Sequence, residues 1–63
     1  MTTLNGNPHT PPAGQTIAEL VQEVTGTDKG VAVAVDGAVV PRSRWKATPA
    51  AGEIEIVTAA QGG

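Results

Sequence analysis

The sequence predicts a two-layer α+β domain in which one helix covers one face of a mixed sheet of four to five strands. Three observations carry that expectation. Ile17, Leu20, Val21 and Val24 form a single apolar stripe at the helical period. Residues 31–35 and 53–57 alternate at the strand period with β-branched side chains on one face. Asn5-Gly6 and Asp36-Gly37 are dipeptides that tolerate the positive φ of a two-residue hairpin turn.

Taken in order, Thr2 to Leu4 suits a short first strand, and Asn5-Gly6 turns the chain back. Pro8, Pro11 and Pro12 then limit any returning strand to a sheet edge, because proline cannot donate to a ladder. A helix is expected over residues 16–25. Thr16 and Glu19 fit a capping box, and Gly26 is placed to end the helix as a left-handed C-terminal residue. Val31-Ala32-Val33-Ala34-Val35 reads as a central strand with a packed valine face and a crowded alanine face. Beyond the Asp36-Gly37 turn, Ala38-Val39-Val40 returns antiparallel, and Pro41 ends it. Residues 43–46 read as a short helical turn or loop that folds the Trp45 indole back onto the sheet edge, as a packing residue. After a loop over residues 49–52, Glu53-Ile54-Glu55-Ile56-Val57 places both isoleucines inward and both glutamates in solvent, as a strand in the sheet interior. The expected division is a folded domain over residues 1–59 and a carrier tail over residues 60–63. The four residues beyond Ala59 can project roughly 14 Å at most.

Composition narrows the function. A chain of 63 residues makes one small domain, which buries only about 60% of its unfolded surface. It has no cysteine, so no disulfide framework and no thiolate zinc site, and its core must be aliphatic around the single aromatic residue, Trp45. A formal net charge of −2 argues against nucleic acid as a partner. Arg42, Arg44 and Lys46 make a local basic cluster that suits a solvated turn. Apolar runs fall far short of a membrane span, the start is no secretory signal, and the cytoplasm is the expected compartment.

No catalytic constellation is visible. His9, the one histidine, sits in the proline-rich edge segment and reads as a surface residue. Glu19 and Glu23 read as a cap and a solvated face, and Glu53 and Glu55 as solubilising positions. The internal glycines lack phosphate-cradling spacing. The chain therefore reads as a substrate or binding module rather than an enzyme, with no metal site. What remains is its ending, Ala60-Gln61-Gly62-Gly63. If Gly63 is the native terminus, its α-carboxylate is an unhindered acyl group, and Gly62, lacking a Cβ, can thread a slot too narrow for a side chain. A frayed end is the competing explanation. Activating that carboxylate requires a better acyl donor, such as an acyl-adenylate, which a partner enzyme must make.

With these residues laid out, the chain resembles the ThiS family of sulfur carrier proteins in thiamine (thiazole) biosynthesis, over nearly its whole length. The landmarks are Asn5-Gly6 after a short strand, Gly14-Gln15-Thr16-Ile17-Ala18-Glu19-Leu20 opening the helix, and Val31-Ala32-Val33-Ala34-Val35-Asp36-Gly37 leading into a hairpin. Val39-Val40-Pro41-Arg42-Ser43-Arg44-Trp45 follows, then Gly52-Glu53-Ile54-Glu55-Ile56-Val57 and the Gln61-Gly62-Gly63 end. The loop before the last strand departs from the Asp-Gly-Asp turn frequent in the family.

The resemblance implies a β-grasp (ubiquitin-like) fold. It also implies a ThiF-like adenylating enzyme that uses ATP and Mg to convert the terminal glycine, here Gly63, to an acyl-adenylate. Sulfur from a persulfide of the cysteine desulfurase type then leaves a covalent thiocarboxylate at Gly63, and thiazole synthase takes the sulfur from it. Ala60, Gln61 and Gly62 would thread the partner sites, and the exposed sheet face near the last strand is the expected docking surface. Other readings are a carrier like the small subunit of molybdopterin synthase, a carrier for cysteine or tRNA thiolation, a ubiquitin-like protein modifier, or a binding module with an inert tail.

Overall fold

The computed structural model of the chain describes residues 1–27 and 29–58. Its elements are β1 (Thr3–Leu4), β2 (Asn7–Pro8), α1 (Ile17–Thr25), β3 (Val31–Val35), β4 (Ala38–Val39), a 3-10 helix (Arg42–Ala47) and β5 (Glu53–Thr58). The sheet has five strands in the order β2-β1-β5-β3-β4. It is mixed: β1 runs parallel to β5, and every other neighbouring pair is antiparallel. The first and last strands thus lie side by side at the centre, and β2, carrying Pro8, takes the edge that its proline demands.

Both hairpins turn as their dipeptides require. Asn5 and Gly6 have φ of 50° and 84°, and Asp36 and Gly37 have φ of 51° and 82°. Positive φ at both central residues matches the right-handed twist of the flanking strands.

Helix α1 begins at a complete capping box. The Glu19 N–H donates to Thr16 Oγ1 (3.3 Å), and the Thr16 N–H donates to Glu19 Oε1 (2.9 Å). Gly26 ends the helix with φ of 73°, its N–H donating to the Gln22 carbonyl. The stripe buries Ile17, Leu20 and Val21, but its fourth member behaves differently. Val24 is 48% exposed and is not one of the buried core residues. The stripe has the right angular period, yet the core beneath the helix stops before its last turn, a limit that periodicity cannot express.

That core joins Ile17, Leu20 and Val21 of α1 to Val33 of β3, Ile54 and Ile56 of β5, and Trp45 and Ala50. Trp45 is packed as expected, and the segment that carries it is an ordered 3-10 helix lying against α1. The indole Nε1–H donates to the Val40 carbonyl at 2.9 Å, which gives its one polar group a partner inside an apolar setting. The helix layer therefore has two parts. The loop that follows is also tied in: the Ile17 N–H donates to the Thr48 carbonyl, and the Ala50 N–H to the Gln15 carbonyl.

One strand expectation needs correction. β3 is flanked on both sides, but its alanine face is not crowded. Ala32 is exposed and Ala34 only half-buried, because both parts of the helix layer lie on the valine side. Small side chains here line an open surface. Val31 and Val35, the outer members of the valine face, are half-buried against the core.

Candidate functional site

The site is assembled around β5. Its inward residues, Ile54 and Ile56, are buried, and its outward residues, Glu53, Glu55 and Val57, are exposed, as strand alternation requires. Register then defines the open face of the sheet. Ala34 of β3 lies between Val39 of β4 and Glu55 of β5, and Ala32 lies opposite Val57. Val39 is 77% and Val57 62% exposed. The result is a shallow apolar strip, Val39-Ala34 and Ala32-Val57, bordered by Glu55, Glu53 and Thr3. Arg42, Arg44 and Lys46 belong to the 3-10 helix, in the layer that covers the opposite face.

Two side chains that the sequence marks only as turn formers hold β5, one at Glu53 and one at Ile56. Asp36 grips the entry. Its carboxylate Oδ1 accepts the Glu53 N–H at 2.9 Å, and its own N–H donates to the Glu53 carbonyl at 2.8 Å. Gly52 lies directly beneath, with φ of 87°; a Cβ there would sit 2.8 Å from Asp36 Oδ1 and 2.9 Å from Oδ2. Asn5 grips the strand at Ile56, beyond the reach of β1. Its Oδ1 accepts the Ile56 N–H at 2.8 Å, and its Nδ2 donates to the Ile56 carbonyl at 3.3 Å. These contacts bridge 17 and 51 residues of sequence, so the turn signals, which are local, carry no trace of them.

The remaining sequence candidates fall as follows. Ala60, Gln61, Gly62 and Gly63 lie outside the described residues, as does the boundary drawn at residue 59. His9 follows β2 and is half-buried, its N–H donating to the Thr2 carbonyl. Glu19 serves in the capping box, and Glu23 accepts from Gln15 Nε2 at 2.9 Å. Among the described residues no group of three or more His, Cys, Asp or Glu side chains is arranged to hold a metal ion. No helix there is long and apolar enough to cross a membrane. What the arrangement offers is an open, partly apolar sheet face and a central strand paired on both sides.

A helix packed on one face of a five-stranded mixed sheet, with the first and last strands parallel at its centre, defines a β-grasp domain of the ubiquitin-like class. The family model of the ThiS family matches residues 2–63, and the chain belongs to that family of sulfur carriers in thiamine biosynthesis. It is also similar to a solved structure, the thiamine biosynthesis protein (ThiS) from Geobacter metallireducens. The two superpose with a TM-score of 0.76 at 25% identity, over 98% of this chain and 97% of that one. No curated protein matches.

Proposed function

We propose that the chain carries sulfur on the α-carboxylate of Gly63. A ThiF-like enzyme docks the open sheet face and draws the Gly-Gly end into its active site. There a carboxylate oxygen of Gly63 attacks the α-phosphorus of MgATP and pyrophosphate leaves. Attack by a persulfide sulfur on the acyl carbon expels AMP, and a second thiol cleaves the resulting acyl disulfide to leave a thiocarboxylate. Thiazole synthase then takes that sulfur for the thiazole ring. ATP and Mg belong to the partner, and this chain supplies the acyl group and the surface that addresses it.

The observation that carries this reading is the family match, which runs through Gly62 and Gly63. The last described strand before them is paired on both sides and held by side chains at Glu53 and at Ile56. The cysteine-free sequence offers no thiol as another site for sulfur.

Intact mass spectrometry tests the proposal after incubation with the adenylating enzyme, MgATP and a persulfide donor. Replacement of one oxygen by sulfur, mapped to Gly63, is the expected result. An unchanged mass, under conditions that convert a control carrier, rejects it. Gly62→Val should block the conversion without unfolding the domain, since a β-branched side chain obstructs a slot shaped for glycine. Heavier covalent adducts on target lysines would instead identify a protein modifier.

A further inference from the structure

We infer that Asn5 is a positioning residue for the carrier tail: its carboxamide acts as one extra rung of the sheet and sets the line on which β5 delivers residues 59–63 to a partner. The inference rests on the sulfur-carrier reading above. Strand β1 accompanies β5 only as far as Leu4 opposite Ile54, where the Asn5 N–H donates to the Ile54 carbonyl at 2.8 Å. The backbone then turns away at Asn5-Gly6. Ile56, two residues further along β5, directs its N–H and C=O to the same side, where no strand remains to receive them. The Asn5 side chain receives both, at 2.8 Å and 3.3 Å.

The chemistry of that rung is selective. The Ile56 N–H can be met only by the carboxamide oxygen, so the Nδ2 group must face the Ile56 carbonyl. A backbone φ of 50° favours Asn, Asp or Gly. A rung that both accepts and donates needs a carboxamide, which Asp and Gly lack. Asn is the residue that satisfies the turn and the rung together. On the other side of β5, pairing with β3 continues to Val31 opposite Thr58. Without Asn5, β5 beyond Ile54 would be held from the β3 side alone and would be free to bend out of the sheet plane at Ile56.

The test compares Asn5→Gly, which keeps the turn and removes the rung, with Asn5→Asp, which keeps the acceptor and removes the donor. Thr16→Ala, a change of helix cap in the other layer, is the control. Amide hydrogen exchange of Ile56 is measured relative to Ile54, and adenylation kinetics are measured with the adenylating enzyme. In Asn5→Gly the Ile56-to-Ile54 exchange ratio should rise about tenfold, the scale of one lost hydrogen bond. The kcat for adenylation should fall about tenfold or more with the carrier KM within about twofold, because docking is retained while the reacting end is misplaced. Asn5→Asp should fall between, and Thr16→Ala should move neither ratio nor the kcat/KM split.

An unchanged exchange ratio in Asn5→Gly overturns the inference. So does a raised ratio with unchanged kcat, or an effect confined to KM. If the unaltered protein is not adenylated at all, the carrier reading fails instead, and the exchange ratio still decides whether Asn5 holds β5 at Ile56.

Discussion

At the scale of single residues, Gly52 and Asp36 show how little space the entry to β5 allows. Gly52 has φ of 87°, and a Cβ would press within 3 Å of the Asp36 carboxylate that accepts the Glu53 N–H. Gly52→Ala therefore meets two obstacles, a backbone conformation that L-residues avoid and a displaced carboxylate. It should cost about 1–3 kcal/mol. Trp45, the sole aromatic residue and a buried one, supplies the fluorescence signal for denaturant unfolding. Asp36→Ala removes the clash and leaves the φ strain, so Gly52→Ala should cost measurably less in that background. Equal costs in the two backgrounds would show that the contact carries nothing.

Elements were legible in the sequence where one local rule set them. The capping box from Thr16 and Glu19, the C-terminal Gly26, both positive-φ turns, the edge position of β2 and the inward isoleucines of β5 all follow from residues within a few positions of one another. What the sequence could not show depends on where elements meet. Val24 has the period of a core residue but lies where the core has ended. Ala32 and Ala34 face outward because both halves of the helix layer lie on the valine side. Asn5 and Asp36 read as turn residues, while their grip on β5 appears only when distant segments are brought together. The helix gives the cleanest element-scale prediction. Thr16→Ala leaves the amide of Glu19 without its cap and should lower stability by about 1 kcal/mol. The denaturant midpoint should fall with an unchanged slope, since the buried surface is the same. A changed slope would mean that the cap governs the compactness of the domain as well as the helix end.

Over the whole molecule, charge and packing are divided between two faces. The helix layer seals the valine and isoleucine side and carries Arg42, Arg44 and Lys46, while the open sheet face presents Val39, Ala34, Ala32 and Val57 beside Glu53 and Glu55. A sulfur carrier has to be recognised by its partners through its surface, and the open face includes the outward side of β5. Val39 and Val57 contribute little to the fold, being 77% and 62% exposed, so changing them separates recognition from stability. Val39→Asp and Val57→Asp should each shift unfolding free energy by no more than about 1 kcal/mol, the range of strand propensity effects. Each should raise the KM for the adenylating enzyme several-fold, because docking would bury a carboxylate where an apolar contact stood. The kcat should stay near that of the unaltered protein once the carrier is saturating, since the side chains of Val39 and Val57 stand on the open face and make none of the hydrogen bonds of the rung between Asn5 and the Ile56 backbone. This is the opposite split from the one expected of Asn5→Gly, so the two kinds of variant tell docking apart from delivery. An unchanged KM in both valine variants would move the docking surface away from this face.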